Sequence, residues 1–201
     1  MRRTIDLTSE LRPDRIAFYS YAHVPWIKGT GQRGYDEKDL PSNEGKRKLY
    51  EMGKEQFLTL GYEEIGMDHF ALPDDTLARA YHSGTLHRNF MGYTADKTRL
   101  MVGLGMSSIS DSWGGFAQNV KTVSAYEKQA LSGEIPVFRG HMLSAEDLVI
   151  RKHILQLMCQ FQTSFEAEAD RFPELQVCLD KLDEMEKDGL VERNNFELNV
   201  T

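Results

Sequence analysis

The chain has 201 residues, of which 40% are hydrophobic and 27% charged, and 24 basic against 31 acidic side chains give a formal charge of −7 at pH 7. This composition is typical of one or two globular domains with enough apolar material for a core. The longest run without a charged residue, residues 153–165, is shorter than the roughly 18 residues that a membrane span needs, so we expect no membrane partner.

The charges are unevenly distributed along the chain. Residues 141–201 contain 6 Lys and Arg against 13 Asp and Glu, a net charge of −7, which leaves 18 of each sign and no net charge in residues 1–140. An acidic second part repels a phosphate backbone, so we expect no nucleic-acid partner. Residues 1–6 lack the apolar segment of a signal peptide, which predicts a cytoplasmic protein.

The first predicted elements form a strand, a helix and a strand. An apolar and aromatic run predicts a strand over residues 16–21, and a long glycine-containing loop follows it. Ser42 or Asn43 begins a helix that ends at Gly61, and residues 62–67 form a second strand. This order is typical of a βαβ unit in a parallel sheet, whose ligands bind at the carboxyl ends of the strands. Asp68 and His69 lie at the second of those ends.

The middle of the chain predicts short elements. Pro73-Asp74-Asp75 begins a short helix that ends near Gly84, and residues 84–93 and 99–104 are extended. The segment Gly103-Leu104-Gly105 either lets the backbone approach a ligand closely or marks a tight packing site. It is no dinucleotide fingerprint, because Ser108 occupies the third glycine position.

The acidic part predicts a helix, a second helix and a hairpin, the order of a winged-helix-like module. Residues 144–147 resemble a capping box, and the helix that follows carries an apolar stripe, Ile150, Ile154, Leu157 and Phe161. The second helix begins at Pro173 and ends at Gly189, and alternating apolar residues after Asn194 predict the hairpin. We therefore divide the chain into residues 1–110, a connecting segment 111–140, and an acidic helical domain 141–201.

Two pairs of neighbouring residues are candidates for chemistry. Asp68 and His69 join a carboxylate to an imidazole, which can position a polar substrate or hold a loop structurally. His87 and Arg88 suit an anionic organic ligand, and the alternative is an ordinary surface loop.

The sequence predicts no protein metal site. The six histidines lack ligand spacing, and the two cysteines, Cys159 and Cys178, form no CxxC pair. His153 lies beside the apolar stripe, where a packed or boundary position is expected.

Several long motifs together resemble one family. They are Tyr21-Ala22-His23-Val24-Pro25, Asp39-Leu40-Pro41-Ser42, and the segments 61–71, 86–94 and 103–110. The family is oxygen-independent coproporphyrinogen III oxidase, a radical S-adenosylmethionine (SAM) enzyme of haem biosynthesis, and the resemblance covers essentially all 201 residues. It implies an α/β fold: the late strands and helices of a partial TIM-like barrel, followed by a mostly helical, winged-helix-like C-terminal domain.

The resemblance also implies an activity for the whole enzyme. Such an oxidoreductase converts two propionates of coproporphyrinogen III to vinyl groups by means of a 5′-deoxyadenosyl radical, giving protoporphyrinogen IX. Its [4Fe–4S] cluster is held by a CxxxCxxC loop, which this sequence lacks. The chain is therefore expected to be a C-terminal portion whose partner is the missing N-terminal half of the barrel. Alone it is expected to be inactive, with no catalytic residue of its own, and to dimerise through the exposed edge of its first strand.

Four positions match the family's SAM contacts: Ala22, Phe90, Met91 and Ile109. The family pattern around the middle pair is Asn-Phe-Gln-Gly-Tyr, so Met91 stands where glutamine is usual and lacks its amide donor and acceptor. One alternative is a non-catalytic module that binds a porphyrin or haem through His87, Arg88 and the glycine segment. A second alternative, a winged-helix nucleic-acid binder, is disfavoured by the negative charge of residues 141–201.

Overall fold

The computed structural model describes residues 1–26, 31–166 and 181–201, which form a mixed α/β structure. Its contacts divide the chain into two units, Met1–Arg79 and Ala80–Thr201. The boundaries that the sequence predicts, at residues 110 and 140, stay a prediction; each falls inside a strand, Ile109–Ser112 and Val137–Met142, of one sheet of the second unit. None of the helices within these three described segments is long and apolar enough to cross a membrane.

The first unit combines a small sheet with helices. Its helices are α1 (Arg2–Leu11), α2 (Asn43–Thr59) and the first part of α3 (Thr76–His82), and two short 3-10 helices span Gly31–Gly34 and Glu37–Asp39. Its strands are β1 (Arg15–Ala17), β2 (Glu63–Gly66) and β3 (His69–Ala71).

The sheet of the first unit has the order β1-β3-β2, and both pairs are antiparallel. Strands β1 and β2 therefore run in the same direction, as the βαβ prediction requires, but they do not pair with each other. The predicted parallel pairing is wrong because the chain reverses at Met67 and Asp68, whose φ angles of 40° and 64° suit a tight hairpin turn, and β3 inserts between the two strands. The first predicted strand is also too long, since its pairing ends at Ala17.

The predicted ends of α2 are confirmed. Ser42 is the N-cap, and its Oγ accepts a hydrogen bond from the Gly45 N–H at 3.1 Å. Gly61 follows the helix with a φ of 86°, a left-handed conformation that glycine adopts without strain. Helix α2 packs Phe57 into a core that also contains Ile5, Tyr62 and Phe70.

A glycine inside α2 makes room for an aromatic ring. The ring of Phe18 stacks on Tyr50 with centroids 5.6 Å apart and meets Phe57 edge-on at 5.3 Å. A Cβ atom on Gly53 would lie 2.5 Å from Cε1 of Phe18, well inside van der Waals contact. Gly53 therefore lets the helix and the segment after β1 approach closely.

We expect the substitution Gly53→Ala to destabilise the protein by about 1–3 kcal/mol, because the added methyl overpacks the contact with Phe18. An exposed helical glycine would instead gain up to about 1 kcal/mol from the same change. The measurement is chemical unfolding followed by circular dichroism, with Glu55→Ala on the exposed face of α2 as the control. A Gly53→Ala protein more stable than the parent would contradict this packing.

The second unit contains three sheets, and every strand pair among the described residues is antiparallel. The first two sheets are the hairpin β4 (His87–Asn89) and β5 (Gly92–Thr94), and the four strands β6 (Leu100–Met101), β7 (Ile109–Ser112), β8 (Gly115–Asn119) and β9 (Val137–Met142). The third has the order β10-β12-β11 and consists of β10 (Gln162–Ser164), β11 (Val191–Asn194) and β12 (Glu197–Val200). Its helices are α4 (Val123–Leu131), α5 (Ala145–Gln160) and α6 (Leu182–Lys187).

Helix α5 begins as predicted but buries a different face. Ser144 and Asp147 form the expected capping box. The buried residues of the helix are His153 and Cys159, whereas Ile154 of the predicted stripe is 54% exposed. The apolar stripe is therefore not the most buried face of the helix, because α5 packs on β4 and β10 and turns its polar His153 inward.

His153 is held by a hydrogen-bonded partner. Its Nδ1 lies 2.7 Å from Oγ1 of Thr163, whose hydroxyl donates to Oε1 of Gln156 at 2.6 Å. Because the hydroxyl has one hydrogen, Nδ1 of His153 is the donor in this chain. The expected packed position of His153 is confirmed.

The end of the chain forms the predicted hairpin, β11 and β12, with Asn195 at a φ of 54° in its turn. Helix α6 ends before Gly189, as predicted. The predicted helix start at Pro173, and Cys178, lie outside the described residues. Arg193 of β11 donates to Glu186 at 2.9 Å, which ties the hairpin to α6.

Candidate functional site

Ala22, a predicted SAM contact, lies in a loop of the first unit that one glutamine organises. The Nε2 of Gln32 donates to the carbonyl of Ala22 at 3.1 Å, and its Oε1 accepts from the N–H of Val24 at 2.5 Å. Tyr21 beside it bonds the hydroxyl of Tyr35 at 2.6 Å. The role of Gln32 was missed by sequence reasoning, because no spacing rule links a loop side chain to backbone eight to ten residues away.

Asp68 and His69 occupy the hairpin between β2 and β3. The Asp68 carboxylate accepts a hydrogen bond from the Tyr50 hydroxyl, and burial together with this carboxylate raises the pKa of Tyr50. Nδ1 of His69 lies 2.8 Å from the carbonyl of Met67, so it carries a proton, and Nε2 accepts from the Tyr19 hydroxyl at 3.1 Å. These contacts match the structural alternative for the pair, and a contact with substrate stays a prediction.

Two further predicted SAM contacts, Phe90 and Met91, lie in the second unit, at the hairpin of β4 and β5. Phe90 and Met91 form its turn, where they are 53% and 87% exposed, and Gly92 follows with a φ of 125°. The N–H of Met91 donates to Oδ1 of Asn89 at 2.8 Å. Phe90 contacts the edge of Phe116 with ring centroids 5.1 Å apart. The hairpin thus presents two exposed apolar side chains at its tip.

Ile109, the fourth predicted SAM contact, begins β7 and is half-buried. A Cβ atom on Gly103 would lie 2.8 Å from the carbonyl oxygen of Ile109, so this glycine lets the chain approach itself. Asn119 donates to the carbonyls of Gly103 and Gly105, both at 2.9 Å. The packing alternative therefore accounts for the glycine segment, and Asn119 is a further organising residue that the sequence did not reveal.

A cavity of about 460 Å³ lies beside Phe90, and we call it the Phe90 cavity. Strands β4, β7, β8 and β9 line it together with helix α5, and its polar lining includes the carboxylates of Asp111 and Asp147. Its apolar wall includes Phe90, Phe116, Ile150, Ile154 and Met158. Two residues of the predicted stripe, Ile150 and Ile154, line this cavity, which explains the exposure of Ile154.

A buried ion pair anchors the wall of the Phe90 cavity. Nη2 of Arg151 lies 3.0 and 2.9 Å from the two carboxylate oxygens of Asp111, and Nη1 donates to the carbonyl of Ser112 at 3.3 Å. Both side chains are largely buried, and the Arg151 guanidinium lies 5.1 Å from the ring of Phe116. The pair joins α5 to β7, so it fixes the position of the helix that lines the cavity.

Arg88 brings a second guanidinium to the Phe90 cavity. Its Cζ lies 4.7 Å from the ring centroid of Tyr93, and its Nη1 is buried with no hydrogen-bond acceptor in the part of the chain that the structure describes. A buried N–H without an acceptor is costly, and a ligand oxygen removes that cost. Arg88 therefore suits the anionic organic ligand that the sequence predicts.

His87 does not share the Phe90 cavity with Arg88. Successive side chains of a strand point to opposite faces, and His87 is buried on the other side of β4. It lines a second cavity with Trp113, Lys97 and Arg151. The structure thus separates two residues that the sequence places side by side.

The residues that the structure describes do not fit an iron–sulfur cluster. Within residues 1–26, 31–166 and 181–201, no group of three or more His, Cys, Asp and Glu side chains is placed to hold a metal ion. Cys159 is buried, and this burial raises the pKa of its thiol to about 11, which favours the protonated form over a thiolate ligand.

No family model matches the chain, but individual proteins and a solved structure are similar to it. The oxygen-independent coproporphyrinogen III oxidase of Paracoccus denitrificans is 47% identical over 152 residues, which are 76% of this chain and 34% of that protein. The Synechocystis enzyme of the same name is 40% identical over 210 residues, which cover 100% of this chain and 45% of that protein.

A solved structure agrees with these sequences. Coproporphyrinogen III oxidase from Escherichia coli, described as a radical SAM enzyme, matches with a TM-score of 0.90 and 36% identity, over 100% of this chain and 47% of that one. The chain is homologous to the oxygen-independent coproporphyrinogen III oxidases. It spans less than half the length of these three relatives.

We expect Asp111→Asn to destabilise the second unit by about 3 kcal/mol, because it leaves the Arg151 guanidinium buried without its counter-charge. The measurement is chemical unfolding at neutral pH. Asp96→Asn, an exposed carboxylate in the same unit, is the matched control and should change stability by less than about 0.5 kcal/mol. Equal effects of the two substitutions would show that the ion pair does not hold α5 in place.

Proposed function

We propose that this chain is the C-terminal part of an oxygen-independent coproporphyrinogen III oxidase. The whole enzyme would oxidatively decarboxylate two propionates of coproporphyrinogen III to vinyl groups, giving protoporphyrinogen IX in haem biosynthesis. The observation that supports this most is the similarity of the whole of this chain to 47% of the Escherichia coli structure, at 36% identity and a TM-score of 0.90. Helix α5, the β11–β12 hairpin and the Phe90 cavity would then belong to the half of the enzyme that shapes the substrate site.

The proposed domain organisation follows from the family resemblance. The first unit would be the last part of a partial barrel completed by the missing N-terminal half, and residues 141–201 a winged-helix-like domain. The domain boundaries 1–110, 111–140 and 141–201 are part of this proposal, as is a cytoplasmic location. Strand β1 lies at an edge of its sheet, which supports pairing with a second copy when the barrel is incomplete.

The residues of the hairpin tip fit SAM as shape contacts. Phe90 and Met91 are exposed and apolar, and Ile109 is half-buried in the same unit, so these side chains can pack against a nucleoside. Ala22 in the first unit has its carbonyl held by Gln32, which would position the small side chain for a similar contact. When bound in the whole enzyme, SAM supplies the radical chemistry, and this chain supplies position and exclusion of water.

We propose Arg88 as the residue of this chain that recognises the substrate. The further candidates are Asp68, His69 and His87. The substrate carries propionate carboxylates on an apolar macrocycle. The Phe90 cavity offers an apolar wall and a buried guanidinium N–H that has no acceptor in the described residues. That combination suits a carboxylate attached to an apolar body.

The cluster ligands are absent from the 201 residues, because Cys159 and Cys178 are the only cysteines and are not in CxxxCxxC spacing. The isolated chain is therefore proposed to be inactive. After anaerobic treatment with iron and sulfide it should show neither the absorption of a [4Fe–4S] cluster nor turnover. Either signal from the chain alone would contradict the proposal.

A chimeric enzyme tests the function directly. We expect the Synechocystis relative to keep anaerobic conversion of coproporphyrinogen III when its aligned part is replaced by these 201 residues. Arg88→Met in the chimera should raise the KM for the porphyrinogen more than Arg139→Met, an arginine on the exposed strand β9. A folded chimera that holds its cluster but has no turnover would overturn the proposal. Binding of porphyrin or haem without turnover would favour the alternative of a non-catalytic module.

Met91 gives the chimera a second test. The substitution Met91→Gln restores the residue usual in the family and with it an amide donor and acceptor. One added hydrogen bond is worth about 1 kcal/mol, so we expect about a fivefold lower KM for SAM. Met142→Gln, at an equally exposed methionine on β9, should leave that KM unchanged. An unchanged KM in Met91→Gln would place this side chain away from SAM.

A further inference from the structure

The second cavity of the second unit has a volume of about 730 Å³ and lies on the face of β4 opposite to Arg88. We call it the Trp113 cavity. His87 of β4, Lys97 after β5, Trp113 after β7 and Arg151 of α5 all line it. Leu86, Leu148 and Leu155 give it apolar walls.

The charges around the Trp113 cavity are positive. Lysine and arginine side chains line it, and none of its lining residues is acidic. Arg151 is matched by Asp111, which lies behind it, but Lys97 has no carboxylate within ion-pair distance among the residues that the structure describes. Instead, Nζ of Lys97 lies 4.9 Å from the ring centroid of Trp113.

The positive charges around the cavity also affect the pKa of the buried His87 imidazole. Burial lowers the pKa of His87, and Lys97 and Arg151 lower it further, while Asp111 acts in the opposite direction. Lys152 of α5 and Cys159 also line the cavity. Burial first, and then the cations around it, lower the pKa of His87, and an anion that enters the cavity would act in the opposite direction.

We propose that the Trp113 cavity is a binding site for an organic carboxylate whose apolar body packs against Trp113 and whose charge is met by Lys97 and His87. The site is distinct from the Phe90 cavity, because it opens on the other face of β4. The carboxylate belongs either to a propionate of the porphyrinogen or to a separate small organic acid. Only the first of these sources rests on the proposed function. The geometry of the cavity itself assigns the chemical class.

The test uses the full 201-residue chain with 3-phenylpropionate as the probe. In a Trp26→Phe background Trp113 is the only tryptophan, so its fluorescence reports this cavity alone. We expect saturable binding of the carboxylate and at least tenfold weaker binding of its neutral amide. Lys97→Met should weaken the carboxylate at least tenfold, whereas Lys128→Met, at an exposed lysine of α4, should not.

A second measurement follows His87 by NMR. The bound carboxylate should raise the pKa of His87, because a nearby negative charge favours the imidazolium. Equal binding of acid and amide, no effect of Lys97→Met, or an unchanged His87 titration would each overturn the site. These measurements need no turnover, so their failure is separate from a failure of the chimeric enzyme.

Competition identifies the source of the carboxylate. If coproporphyrin III displaces 3-phenylpropionate, measured by calorimetry, the porphyrin propionate is the ligand. If 3-phenylpropionate binds and the porphyrin does not compete, the site takes a separate organic acid.

Discussion

The ion pair between Arg151 and Asp111 is the contact on which the second unit depends. It fastens helix α5 to strand β7 with two short hydrogen bonds from one guanidinium nitrogen, away from most solvent. The same guanidinium lies 4.8 Å from the ring of Trp113, and it lines both cavities. Because the charge of Arg151 is matched, the cations available to a ligand are Arg88 in the Phe90 cavity and Lys97 in the Trp113 cavity.

Side chains alternate between the two faces of strand β4, so the adjacent residues His87 and Arg88 line different cavities. Arg88 joins the exposed Phe90 beside an apolar wall, and His87 lies buried behind Trp113. A substrate that carries several carboxylates on one macrocycle needs more than one anion contact. Two cavities on opposite faces of β4, each with its own cation, meet this requirement, which connects the proposed oxidase function to the proposed second carboxylate site.

Short-range signals predicted the local structure well. The caps Ser42 and Ser144, the glycine after α2 and the C-terminal hairpin are confirmed, because each depends on hydrogen bonds or backbone angles within a few residues. Strand pairing was predicted less well. The sequence indicated two strands running in the same direction, but the hairpin at Met67 and Asp68 placed β3 between them. Likewise, periodicity found an apolar stripe on α5, but only packing on β4 and β10 decided that His153 faces inward.

By itself, the sequence determined the family through long motifs, the absence of a CxxxCxxC loop, and the residue types available for binding. It also determined that His87 and Arg88 are adjacent, without showing that they serve separate cavities. Only the tertiary structure decided which cations are matched, since Arg151 and Asp111 are 40 residues apart and meet only when α5 packs on the sheet. Charge and burial act through space, so the chemistry of each candidate residue depends on partners that are distant along the chain.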